Sequence, residues 1–143
     1  MPKIISAMDL QINLDDANED WLFRWLVASF LMGKRIQAEI AANAYKVIVQ
    51  KYQRDTPLKL ANCTHRELVA MLGEARYVHY DESTATRLLA LARKINDEYS
   101  VKVGNIFVVS GDHHDVENRL KEFDGIGSKT VEIFMREAVK VFA

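Results

Sequence analysis

Apolar residues recur along this chain at helical rather than strand spacing. Residues 2–12 carry Ile4, Ile5, Met8 and Ile12 near one face and predict a short helix. The polar run NLDDANED, residues 13–20, breaks it and supplies several possible N-caps. Residues 21–32, WLFRWLVASFLM, are apolar nearly all round, the mark of a central helix. Trp21 and Trp25 share a face there, and core packing explains them better than base stacking. Gly33 interrupts the run. Residues 35–53 predict the next helix, with Ile36, Ile40, Ala44, Val47 and Ile48 on one face and Arg35, Glu39 and Lys46 off it; RDTP ends it. Residues 64–72, THRELVAML, open with Thr64 three residues before Glu67, a capping box, and Gly73 suits the far end. Residues 81–99 predict a long helix with Leu88, Leu91, Ala92 and Ile95 inward.

SVKVGNIFVVSG, residues 100–111, is the one strand-like run. With no partner run, it predicts an extended connector whose apolar residues plug the core. DHHDVENRLKEF predicts a short helix capped near Asp112. A Gly-Ile-Gly turn follows, and a last helix starts at about Ser128. The expected fold is all-α, an array of six to seven helices. Residues 1–18 form an N-terminal helical segment and residues 19–143 the main domain.

Composition narrows what such an array does. A length of 143 residues fits one domain, and 49% hydrophobic with 27% charged residues allows a sizeable core. A net charge of −1 excludes coating of nucleic acid by bulk electrostatics, so any DNA contact needs a local patch. Cys63 is the only cysteine, which excludes a disulfide framework, a zinc tetrad and a cysteine-ligated iron–sulfur cluster. The N-terminus lacks the pattern of a signal peptide, and no apolar stretch is long enough for a membrane span. A soluble, cytoplasmic protein is expected.

The turn carries the candidate chemistry. Gly125 and Gly127 allow backbone conformations closed to other residues and let main-chain N–H groups approach a ligand. Those groups lie beside a helix N-terminus, where free amides and the helix dipole favour an anion such as a DNA phosphate. Ile126 points back as an anchor, and Lys121 and Lys129 add positive charge. Such binding reads backbone, not bases. The same glycines also suit a plain corner between two helices, and their spacing alone leaves both uses open. Elsewhere, DHHD at 112–115 lacks His-x-x-x-His spacing and reads as a cap and a solvated helix start, with no metal expected. His65 and His79 have no nucleophilic arrangement around them. Tyr77 and Tyr80 suit core or rim packing better than stacking on a base.

Three stretches together resemble a family. KEFDGIGSKTVEIF, residues 121–134, resembles the helix–hairpin–helix signature of the endonuclease III-like DNA glycosylase superfamily, a Gly-hydrophobic-Gly-x-Lys-Thr run after a Leu-Pro pair. LVASFLMGKRIQAEIAANAYKVI, residues 26–48, resembles the family's early helix pair. YVHYDESTATRLLALARKI, residues 77–95, is similar to a later turn and helix. Together they cover roughly residues 20–143. The resemblance implies a six-helix domain with a helix–hairpin–helix motif near the C-terminus, binding double-stranded DNA, damaged or abasic. It implies that Gly125 and Gly127 hold a phosphate through backbone amides, often with a monovalent cation on the hairpin carbonyls. It matches Lys129 to the nucleophile of bifunctional members. It matches Gly33–Arg35 to the loop that wedges into the duplex, with Lys34 where members often carry glutamine. The implied DNA-contacting set is Gly125, Ile126, Gly127, Ser128, Thr130, Lys121, Lys34 and Arg35. At Lys129 the chemistry is attack of a neutral amine on C1′ and Schiff-base formation, favoured by the helix dipole and by partial burial.

The sequence departs from that pattern in four places. No aspartate follows Lys129, and Glu132 and Glu137 are the nearest acids in the last helix. The long C-terminal segment of the family's second lobe is not in this sequence, so one wall of its cleft is expected to be missing unless a partner supplies it. Asp124 stands where the hairpin proline is usual. The four-cysteine cluster is absent. These departures weigh on the chemistry more than on the fold. Three readings follow: a repair glycosylase or abasic-site lyase, a non-catalytic DNA-binding module, and an interaction or oligomerisation domain. A homodimer is compatible with each.

Overall fold

In the computed structural model, which describes residues 5–14 and 19–141, the chain is all-α, with eight α-helices and no strand among the described residues. The helices are α1 (Glu19–Met32), α2 (Ala38–Tyr45), α3 (Pro57–Ala61), α4 (His65–Glu74), α5 (Asp81–Glu98), α6 (Gly104–Val108), α7 (His113–Lys121) and α8 (Ser128–Val141). Among the described residues, no helix is long and apolar enough to cross a membrane.

The centre is α1, as its all-round apolar pattern predicts. Leu22, Phe23 and every residue from Trp25 to Leu31 are buried, including Ser29, whose hydroxyl donates back to Trp25 O at 2.7 Å. Burying a helix on all sides requires neighbours on all sides, and α1 packs against both α2 and α8. The Trp25 indole N–H donates to Phe134 O of α8 at 3.1 Å, so the large buried ring has a partner for its one polar atom. On the other side of the array, α3 and α4 pack on α5, and α7 packs on α6 and α8.

Several expected elements form for the expected reasons. Thr64 and Glu67 make the reciprocal capping box of α4. Asp112 caps α7 by accepting from Asp115 N at 2.8 Å. The inward face of α5 is Leu88, Leu91, Ala92 and Ile95, extended by Thr84, Ala85 and Leu89.

Other expectations are corrected. The N-terminal segment is not a helix over 2–12: its described part holds one 3-10 turn, Met8–Leu10, closed by Gln11 in the left-handed region at φ 61°. Ile5, Leu10 and Ile12 are buried while Met8 is exposed, and Ile4 lies outside the described residues. The segment is thus part of the main core, and Ala7 N–H donates to Glu137 Oε2 of α8 at 2.8 Å. The helix expected over 35–53 begins at Ala38 and ends as a π-helical stretch, Lys46–Lys51. Ile48 and Val49 are buried in this π-helical stretch. Thr56 and Pro57 start a short helix, α3, with Thr56 accepting from Lys59 N. Gly73 lies inside α4, and the left-handed residue after it is Arg76 at φ 63°. The strand-like run folds as α6: a lone strand leaves its backbone groups unpaired, and a short helix pairs them locally. Val103 and Ile106 do plug the core, but Val108 and Val109 are exposed.

Candidate nucleic-acid interface

The turn between α7 and α8, residues 122–127, is built by local hydrogen bonds and two buried side chains. Phe123 N donates to Leu120 O and Ile126 N to Phe123 O, each at 3.1 Å. Phe123 and Ile126 are buried, so the turn is pinned to the core on either side of Gly125, as expected of Ile126. Val131 N donates to Gly127 O at 3.1 Å, which makes Gly127 the N-cap of α8. The N–H groups of Ser128, Lys129 and Thr130 therefore fall in the first turn, where no intrahelical acceptor exists.

The two glycines differ. Gly125 has φ +85°, a left-handed conformation, and a Cβ there would lie 2.6 Å from Arg87 Cδ and 3.3 Å from Phe30 Cε2. Gly125 is thus required by the fold. Gly127 has no such angle, and a Cβ there would meet nothing within 4 Å. The fold does not require a glycine at 127, and its missing side chain leaves the N-terminus of α8 open to solvent.

An open groove of about 760 Å³ runs over this turn. Its walls are the residues from Lys121 to Thr130, together with Gly33 and Lys34 from the end of α1 and Arg87 from α5. The structure thereby brings together Lys34, Lys121, Gly125, Ile126, Gly127, Ser128, Lys129 and Thr130, all but one of the residues singled out from the sequence. Arg35 is the exception. It lines a neighbouring depression of about 270 Å³ with Tyr80, Ser83 and Arg87. A separate depression of about 400 Å³, between the N-terminal segment and α8, holds none of the expected site residues.

Within the groove the side chains take distinct places. Lys129 is exposed on the first turn of α8, so the partial burial expected of a lysine nucleophile is absent there. Lys121 and Ser128 are also exposed. Thr130 is buried, and a methyl group on Gly33 would lie 3.1 Å from its Cβ. Its side chain is therefore at the seam between α1 and α8, on the buried side of the groove wall. Lys34 turns inward: its Nζ donates to Gly125 O at 2.6 Å and lies 4.9 Å from the centre of the Phe30 ring. Burial lowers the pKa of this amine, the Arg87 charge lowers it further, and the Asp124 carboxylate opposes both.

Arg87 is the participant that the sequence did not reveal. Its Nε lies 3.7 Å from Asp124 Oδ1, so it faces the acid that precedes Gly125. The pair is largely exposed and loosely spaced, and such pairs contribute little to stability. Its consequence is for local charge. The groove carries four cations, Lys34, Arg87, Lys121 and Lys129, against the acids Glu122 and Asp124. The groove is thus locally basic in a chain of net charge −1. Nothing in the sequence around Arg87 distinguishes it from Arg93 or Lys94 on the same helix; only the folded array carries it to the turn.

The acids considered beside Lys129 are placed too. Glu132 is exposed one turn along α8, and Glu137 is committed to the Ala7 N–H. The DHHD stretch serves α7 as its cap and first turn, with Asp115 also accepting from Gly111 N at 3.0 Å.

The carbonyls of the turn bear on the monovalent cation that the family resemblance implies. Phe123 O accepts from Ile126 N, Gly127 O from Val131 N, and Gly125 O from the Lys34 amine. A cation needs several oxygens free to converge on it, and a lysine amine already holds the Gly125 carbonyl. The Gly125 carbonyl, already held by the Lys34 amine, does not fit as a ligand of such a cation.

No protein-family model, no curated protein and no solved structure matches this chain.

Proposed function

We propose that the α7–α8 turn is a helix–hairpin–helix grip on the phosphate backbone of double-stranded DNA, in a protein of the endonuclease III-like glycosylase type. The observation that carries this reading is Gly127. It is a glycine required neither by its backbone angle nor by crowding, and it leaves a helix N-terminus open at the centre of a groove lined by four cations. A phosphate oxygen there accepts from the first amides of α8, and Lys129, Lys121 and Arg87 lie around it. Contacts of this kind fix position on the duplex and carry no sequence information. The test is binding of short duplexes of unrelated sequence at low salt. Affinities within about threefold of one another support a backbone grip, and a strong preference for one sequence would overturn it.

The position of Lys129 favours a second reading, that of an abasic-site lyase. It stands exposed on the first turn of α8, beside the proposed phosphate site, with its amine open to the groove. Its neutral amine attacks C1′ of the ring-opened abasic sugar, the aldehyde oxygen leaves as water, and an iminium links protein to DNA. Borohydride reduces that link to a stable amine. Under this reading an adduct with abasic duplex forms in the wild type and is lost in Lys129→Ala. An adduct that survives Lys129→Ala and disappears in Lys34→Met assigns the chemistry to Lys34 instead. With no adduct in any variant and duplex binding intact, the non-catalytic grip stands alone.

A further inference from the structure

We infer that Lys34 is a built-in cation for the α7–α8 turn, so that DNA binding there requires no bound metal ion. The inference rests on the duplex-binding reading for its functional consequence, but its structural part stands on this chain alone.

The Gly125 carbonyl is fixed in direction by the residue's left-handed conformation and by the buried Phe123 and Ile126 on either side. Gly125 lines the groove, so its carbonyl dipole lies beside the place proposed for a phosphate. Left uncompensated, that dipole repels the anion. Lys34 answers it with a direct bond of 2.6 Å from Nζ to Gly125 O. Three features hold the amine there. Gly33 ends α1 and admits the close approach of Thr130, which sets the direction of the chain at Lys34. The Phe30 ring lies 4.9 Å from the amine and presents its electron-rich face to it. The Asp124 carboxylate favours the charged amine and partly opposes the burial and the Arg87 charge, which together lower its pKa. A lysine tethered in this way has paid most of its ordering entropy before DNA arrives, whereas a free ion has to be captured from solution.

Lys34 thereby has a role different from that of a residue inserted into the base stack. Its tip is turned onto the turn, and among the two basic residues of this loop it is Arg35 that remains exposed.

The experiment compares duplex affinity at one ionic strength in potassium, sodium and tetramethylammonium chloride. Wild-type affinity is expected to agree within about twofold in all three, because no size-selective site contributes. Lys34→Met is expected to bind about tenfold more weakly in all three, through loss of a charge beside the phosphate. A wild-type affinity that collapses in tetramethylammonium overturns the inference. So does a Lys34→Met variant that is folded, by its circular dichroism and melting curve, yet binds as well as the wild type. A second readout uses the protein without DNA: thallium-205 NMR on the wild type. No bound thallium signal is expected, and a bound signal displaced by potassium overturns the inference. If duplex binding fails altogether at low salt, the functional reading falls, while the NMR arm still decides who holds the carbonyl.

Discussion

Gly125→Ala is expected to destabilise the protein by about 2 kcal/mol, and Gly127→Ala by no more than about 0.5 kcal/mol. At this chain length the first change corresponds to a melting temperature lower by roughly 6 °C. The cost at 125 has two sources. An alanine has to hold φ near +85°, where its Cβ is disfavoured, and that Cβ would reach 2.6 Å from Arg87 Cδ. Arg87 can swing away only by leaving Asp124, and Phe30 Cε2 at 3.3 Å gives no room on the other side. At 127 a methyl group meets nothing within 4 Å and no left-handed angle is imposed. The remaining cost is the preference for glycine over alanine at an N-cap, largely offset by the smaller conformational entropy that alanine loses on folding. Thermal melts of the two variants check this. Equal losses at the two positions would contradict the distinct places assigned to the two glycines.

Gly127→Asp is expected to separate folding from binding. An aspartate at the N-cap accepts hydrogen bonds from the second or third amide of α8 and places negative charge at the positive end of the helix dipole. The melting temperature is therefore expected to stay level or rise slightly. The same carboxylate occupies the amides proposed for the phosphate and repels it across a few ångströms. Charge-assisted hydrogen bonds of this kind are worth about 1.5–3 kcal/mol, so duplex affinity is expected to fall about 10- to 100-fold. Melting curves and duplex titrations on one preparation measure both. A variant that is stable and still binds with wild-type affinity would move the phosphate away from α8.

The parts of this molecule that were legible in the sequence are those set by short-range chemistry. Thr64 with Glu67 and Asp112 with Asp115 announce helix starts because capping needs only a side chain and an amide three residues on. The burial of α1 shows in twelve residues that leave almost no polar face. The Gly-Ile-Gly turn shows because a sharp turn between helices demands particular residues. What was not legible depends on partners distant in sequence. The run at 100–111 has strand-like side chains, but no second strand exists among the described residues to pair with, so its backbone closes on itself in α6. Thr56-Pro57 was a usable start signal for α3 that its short length concealed. In the site, the Thr130 side chain is buried against Gly33 at the α1–α8 seam, a packing that its place in the motif does not announce. Arg87 reads as one more solvated charge on α5, yet it is carried to Asp124. The bond from Lys34 to Gly125 spans 91 positions, and no local pattern foretells it.

The central claim, a phosphate grip at the N-terminus of α8, is tested most directly by duplex affinity measured against salt concentration. With the cations of the groove engaging about three phosphates, the logarithm of the affinity is expected to fall with the logarithm of salt at a slope near −3. Lys129→Ala is expected to bring that slope about one unit closer to zero while the melting temperature is unchanged. Absence of duplex binding at low salt, or a slope indifferent to Lys129→Ala, would contradict the claim.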